Sequence, residues 1–207
     1  MELFLYDRQV REEGYPLLCG GDEAGRGPLA GPVCAAAVIL PANVKIPGLD
    51  DSKKLSDKRR RELFPVIQET ALAYAIAFAD HREIDEMNIL QATFLAMQRA
   101  LDQLKVRPDL ALIDGNRNKE IEVNSQPVVK GDSKCADIAA ASILAKTFRD
   151  DLMVKLDARW PEYGFAKHKG YPTKDHREAI LRHGICDHHR RTFGPCLQPS
   201  LFDQEEL

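Results

Sequence analysis

Apolar and polar positions alternate along the chain in blocks that fit strands first and helices later. Leu17 to Asp22 reads as a strand running into the glycine-rich stretch Gly25-Arg26-Gly27-Pro28. Val33 to Leu40 is a continuous apolar run with β-branched members, the pattern of a buried strand. Ser56 is placed to cap a helix reaching about Thr70, with Leu63, Val66 and Ile67 on one face and Pro65 as a candidate kink. Leu72 to Phe78 alternates large apolar residues with alanine and predicts a third strand. Ile84 to Leu104 carries Ile89, Leu90, Phe94, Met97, Leu101 and Leu104 at helical spacing and predicts one helix. Leu110 to Ile113 and Pro127 to Lys130 are short strand candidates. Ala136 to about Leu156 predicts a long helix whose alanine-rich start would let its backbone lie close to a sheet, and Lys174 to His183 predicts another, stopped by Gly184. Strands lead and helices follow, the order of an α/β domain with a mixed central sheet and a helical C-terminal part. We expect one domain over residues 1–195, its helical part from about 150, and an extended tail over 196–207.

Composition adds little until it is localised. The 207 residues are 44% apolar and 29% charged, enough for one substantial core. No apolar run nears the roughly 20 residues of a membrane-spanning helix. The mixed charge of Met1 to Arg11 lacks the apolar stretch of a secretory signal, so a cytoplasmic monomer is the default expectation. Five scattered cysteines without a C-x-x-C pair point to reduced thiols, and Cys186, His188, His189 and Cys196 do not have zinc-finger spacing. The net charge of −3 looks wrong for a nucleic-acid binder. Three of the acids, Asp203, Glu205 and Glu206, sit in the tail, however, and the rest of the chain is balanced. Lys53-Lys54, the run Lys58 to Arg61 and Lys167-His168-Lys169 are candidate basic walls, each also readable as a solvated face.

Candidate chemistry rests on where the acids stand. Asp22 and Asp114 each end an otherwise apolar strand, and Asp132 lies just before the alanine-rich helix. Charge at the end of a buried element is costly unless it is paired. Salt bridges are one solution and a divalent cation held by converging oxygens is the other; position alone leaves both open. Hard cations such as Mg²⁺ and Mn²⁺ take carboxylate and water ligands, and two of them about 4 Å apart can drive phosphodiester hydrolysis. Glu23, next to Asp22, points to the opposite face of a regular strand, so both serve one site only if the strand ends or bulges there.

Five segments, in order, resemble the type II ribonucleases H. They are Gly21-Asp22-Glu23-Ala24-Gly25-Arg26-Gly27-Pro28-Leu29-Ala30-Gly31; Asp51-Ser52-Lys53-Lys54-Leu55-Ser56; Leu112-Ile113-Asp114-Gly115-Asn116; Lys130-Gly131-Asp132-Ser133 with Ala139 to Lys146 and Arg149-Asp150; and His168-Lys169-Gly170-Tyr171-Pro172-Thr173. Together they cover roughly residues 15 to 195. The resemblance implies a ribonuclease H-like five-stranded mixed sheet flanked by helices. It implies an endonuclease that cuts RNA–DNA hybrids, and duplex DNA carrying a single ribonucleotide, on the 5′ side of the ribonucleotide to leave 3′-hydroxyl and 5′-phosphate ends. It makes Asp22, Glu23, Asp114 and Asp132 the ligands of Mn²⁺ or Mg²⁺, two ions per site with substrate. Gly25, Arg26 and Gly27 would present backbone groups to the 2′-hydroxyl, and Tyr171 would abut the sugar at the junction. A proofreading-type exonuclease or a non-catalytic binding factor on the same scaffold are the alternatives.

Other residues are less decided. Lys53 and Lys146 are candidate phosphate contacts, Lys146 equally an ion-pair partner of Asp150 at i, i+4. His168 reads best as a solvated loop histidine and Trp160 as a packing anchor. In the tail, Gln198, Leu201 and Phe202 resemble the Gln-x-x-Leu-Phe peptides with which bacterial replication and repair proteins dock on the sliding clamp.

Overall fold

The computed structural model describes residues 3–197. Its centre is a five-stranded sheet: β1 (Leu18–Ala24), β2 (Val33–Ile39), β3 (Ala73–Ala79), β4 (Leu110–Asp114) and β5 (Ser125–Val128). The spatial order is β3-β2-β1-β4-β5, with β1-β2-β3 antiparallel and β1-β4-β5 parallel. The seven principal helices are α1 (Leu3–Glu12), α2 (Asp57–Thr70), α3 (His81–Met87), α4 (Ile89–Asp102), α5 (Ala136–Arg159), α6 (Phe165–His168) and α7 (Lys174–His183).

Alternation along β2 builds the three layers. Ala35, Ala37 and Ile39 face a core completed by Ala92, Ala96, Met97 and Ala100 of α4. Ala36 and Val38 face the opposite core, filled by Ala139, Ala140, Ile143 and Leu144 of α5 and by Leu63 and Ile67 of α2. Sandwiched this way, β2 is buried along its whole length, whereas the edge strand β3 alternates buried and open positions. The alanines at the start of α5 do what their size suggests. A Cβ at Gly20 in β1 would stand 2.1 Å from the carbonyl carbon of Asp137, so only glycine lets this helix lie against the central strand. A separate core of Leu29, Met153, Tyr163, Phe165 and Ile180 joins the C-terminal helices to the end of α5, with Trp160 packed at its margin.

Three elements differ from expectation. The single helix predicted over Ile84 to Leu104 is two, α3 and α4, broken at Asn88. Asn88 has φ +73° and its side chain accepts from the amides of Leu90 and Gln91. Asparagine tolerates this left-handed backbone and caps the next helix, while apolar spacing runs on across the break and hides it. The last strand is Ser125–Val128 rather than Pro127 to Lys130. The N-terminal helix α1, buried at Asp7 and Val10, went unpredicted because the contacts that tie it to α5 are made by charged side chains. Asp7 accepts from the amides of Ala136 and Asp137 at 2.9 and 3.2 Å, capping α5 from outside, and Arg11 pairs with the buried Asp137 at 2.8 Å. Pro65 lies within α2, which runs through it unbroken to Thr70.

Candidate active site

The parallel pairing of β1 with β4 sets the first half of the site. Gly21 lies opposite Ile113, so the next step along both strands brings Asp22 beside Asp114. Asp132 arrives from the short 3₁₀ turn Gly131–Ser133 that leads into α5. Ligand oxygens of these three side chains all lie within 4.8 Å of one another. Asp22 is 3% exposed and Asp132 6%. Burial and then the charges of Glu23 and Asp114 raise the pKa of Asp22 well above the carboxylate range. Burial also raises that of Asp114. The counter-charges are few: Lys53 Nζ reaches Asp132 at 3.1 Å from an exposed position, and the amide of Gly131 donates to Asp114 at 2.7 Å. Buried acids gathered so closely with so little compensation fit a hard divalent cation, which supplies the missing positive charge.

Glu23 stands apart from this trio. The strand does not end at Asp22 but runs on to Ala24 with Glu23 paired to Ala35, so the two neighbours diverge. Glu23 instead meets Arg26 at 3.5 Å and lines, with Arg26, Asp114, Gly115, Asn116 and Arg117, a cavity of about 290 Å³. Its carboxyl pKa is raised by burial against the pull of Arg26.

The glycine loop and Tyr171 come together on the same side. Gly25 has φ +100°, and a Cβ there would fall 2.0 Å from Arg149 Nε. A Cβ on Gly27 would sit 3.7 Å from Tyr171 Cε1, ordinary contact. Tyr171 is 39% exposed, and Lys146 Nζ lies 5.6 Å from its ring centroid. Lys146 is also the ion-pair partner of Asp150 at 2.8 Å, the i, i+4 pairing its position allows. Ser52, from the second of the five segments, is buried and bonded to Ser142 at 2.6 Å.

Of the residues that position this site, His176 and Arg190 were not singled out by sequence, and His168 was read differently. His168 is not a solvated loop residue: it is buried, bonds Tyr163 O at 2.7 Å and accepts from the amide of Gly170. His176 faces Tyr171 O at 3.0 Å and His189 at 3.1 Å; His189 in turn accepts from the amide of Cys186. Carbonyls only accept and amides only donate, so the chain of partners fixes the protons on His168 Nε2, His176 Nδ1 and His189 Nε2. Burial pushes the pKa of His176 down to about 4 and that of His189 to about 3, keeping both neutral. Cys186 Sγ approaches His189 Nδ1 at 3.2 Å, but among the described residues no third ligand joins them, in line with the absence of zinc-type spacing. Arg149 and Arg190 are both fully buried and bond only backbone carbonyls. Gln198, Leu201 and Phe202 lie outside the described residues.

Residues 19–196 match the family model described as Ribonuclease HII. The chain belongs to the ribonuclease HII family. The ribonuclease HII of Vibrio parahaemolyticus is 60% identical over 183 residues, 88% of this chain and 87% of that protein. Among solved structures, ribonuclease H2 of Pyrococcus horikoshii is 28% identical with a TM-score of 0.73, covering 87% of this chain and 95% of that one. The ribonuclease HII of Archaeoglobus fulgidus, solved in complex with PCNA, shares the fold at 24% identity and TM-score 0.73, covering 90% of this chain and 100% of that one. Membership makes this chain a ribonuclease H endonuclease acting on RNA–DNA hybrids. Among the described residues no helix is long and apolar enough to cross a membrane.

Proposed function

We propose that this ribonuclease HII cuts on the 5′ side of a ribonucleotide, including a single one embedded in duplex DNA, and leaves 3′-hydroxyl and 5′-phosphate ends. The observation that carries the reading is the convergence of the Asp22, Asp114 and Asp132 oxygens beside a glycine loop that abuts an exposed tyrosine. Asp22, Asp114 and Asp132 are the ligand set for Mg²⁺ or Mn²⁺, and Glu23, on the cavity side, completes it around substrate. Bound there, divalent cations would supply positive charge against a phosphate and lower the pKa of a coordinated water. The chain's own groups do the rest. Lys53, held at Asp132 yet exposed, is free to swing to a substrate phosphate, and Lys146 offers a second charge beside Tyr171. Arg26 and Gly27 present main-chain amides to the 2′-hydroxyl, and Tyr171 packs against the adjoining sugar.

The deciding experiment is cleavage of a DNA duplex bearing one ribonucleotide, with and without divalent metal, with both new ends mapped. A cut 3′ of the ribonucleotide, or equal turnover of an all-DNA duplex, refutes the reading. A blocked-end duplex that resists cleavage would instead support the exonuclease alternative. We further propose that Gln198, Leu201 and Phe202 dock on a sliding clamp, a reading supported by the motif and by the PCNA complex of the Archaeoglobus relative. Truncation before Leu197 should abolish clamp binding while sparing cleavage of a short substrate.

A further inference from the structure

Two arginines lie buried beneath the glycine loop, and among the described residues neither forms an ion pair with a carboxylate. Arg149 donates to the carbonyls of Pro32, Lys169 and Ala30. Arg190 donates from Nε to Gly31 O at 3.0 Å, from Nη1 to Arg26 O at 2.9 Å and from Nη2 to Gly25 O at 2.6 Å, and its guanidinium lies 5.0 Å from the ring centroid of Phe193. Its own amide donates to Leu29 O, and the amide of Gly31 donates to His188 O, so the segment around Arg190 is stitched along the whole loop. Burying a cation against carbonyls alone is an expensive way to close a loop that apolar packing could close. What the fork provides is direction. A guanidinium carries a rigid fan of donors, so it fixes several carbonyls at once in one orientation. With the Gly25 and Arg26 carbonyls drawn inward, the peptides that follow have their N–H groups facing away from the protein. The amides of Arg26 and Gly27 accordingly donate to no acceptor among the described residues.

We propose that Arg190 is the positioning residue for ribose recognition, holding the Gly25 and Arg26 carbonyls inward so that the amides of Arg26 and Gly27 meet the 2′-hydroxyl. This rests on the reading above that the loop senses that hydroxyl, and the test separates the two. Two quantities are measured with Mg²⁺ present: kcat/KM on a DNA duplex with one ribonucleotide, and the inhibition constant of the same duplex made wholly of DNA. The second reports binding apart from the hydroxyl. Arg190→Lys keeps the charge but loses the fork. It should lower kcat/KM roughly fivefold to tenfold, the worth of one or two hydrogen bonds, and leave the inhibition constant unchanged. Gly27→Ala puts a methyl on the loop beside Tyr171 without an internal clash and should act in the same sense. Arg11→Lys, altering an arginine that pairs with Asp137 rather than with the loop, should change melting temperature only.

If Gly27→Ala leaves both quantities as they were, the reading of the loop fails. If Gly27→Ala acts and Arg190→Lys does not, or if Arg190→Lys shifts both quantities in parallel, the assignment of Arg190 is overturned. Should Arg190→Lys not fold, the unaltered protein answers: with Ca²⁺ present, the Arg190 guanidinium ¹⁵N resonances should shift on adding the ribonucleotide duplex and not the all-DNA duplex. Identical shifts with both overturn the proposal.

Discussion

Gly20→Ala tests the claim that α5 lies directly on β1. The added Cβ would stand 2.1 Å from Asp137 C, 2.2 Å from Ile138 N and 2.5 Å from Asp137 O. Unstrained carbon contacts need about 3.5 Å or more, so helix and strand must part by about 1.4 Å. The obstructing atoms are main chain in the first turn of a 24-residue helix, and no side-chain rotation relieves them. Opening the contact also loosens the buried alanines Ala139 and Ala140, and gaps of 0.5–1 Å already forfeit about a quarter to a half of such contact energy. Overpacking of this kind costs about 1–3 kcal/mol, and backbone obstruction places it at the upper end, about 3 kcal/mol. For a chain of this size that is a fall in Tm of about 6–12 °C. The strain falls on the site too, since Asp22 follows Gly20 by two residues and Asp132 precedes α5 by four. Differential scanning calorimetry, with and without Mn²⁺, measures both effects. Gly194→Ala is the control: a Cβ there meets nothing within 4 Å. A Gly20→Ala protein that melts within the scatter of that control would show that the helix does not sit on the strand as described.

Asp132→Asn should fold normally, lose at least about a hundredfold in turnover and lose most of the thermal shift given by Mn²⁺; the shift at 100 times Kd is about 2.7 kcal/mol in the unaltered protein, read by thermal melts against EDTA. His176 and His189, neutral in the fold with pKa values depressed to about 4 and 3, make stability pH-dependent. Above about pH 6.5 neither state binds a proton there. As pH falls below it the unfolded chain gains protons the folded chain refuses, so stability drops by about 1.4 kcal/mol per pH unit for each histidine until the folded pKa is reached. Burial lowers the pKa of His81 and His188 as well, and the raised acids Asp22 and Asp114 act in the opposite sense, so the pair is read by difference. In urea melts from pH 7 to 5, His189→Gln should lose less stability on acidification than the unaltered protein, and an identical pH dependence would rule the pair out. Asp7→Ala strands the amides of Ala136 and Asp137 and should cost about 2–3 kcal/mol by urea denaturation, whereas Asp7→Asn, which keeps an acceptor, should recover much of it.

What was legible in the sequence follows from which interactions side chains can announce. The strands β1, β2 and β4 were plain because burial on both faces demands unbroken apolar runs. The acids were plain because a charge terminating such a run needs a reason. Asp22, Asp114 and Asp132 do converge, and Glu23, a neighbour in a regular strand, turns to the other side, where it lines the cavity together with Asp114. Helix α1 and the Asn88 break were hidden because their determinants are charged or polar residues whose partners lie far along the chain or in the local backbone. The same reason explains why Arg190 and His176 escaped notice, why Arg149 stood in a matched segment without a role, and why His168 was read as solvated. Their partners are main-chain carbonyls and amides, which every residue carries, so no pairing of residue types marks them. The groups that perform the chemistry are therefore written in the sequence as recognisable side chains. The groups that aim the glycine loop are written as arginines and histidines that look like ordinary surface polarity until the backbone they hold is in view. A substitution at Arg190 would accordingly pass for a neutral surface change in sequence, yet it removes three hydrogen bonds from the loop against which Tyr171 rests.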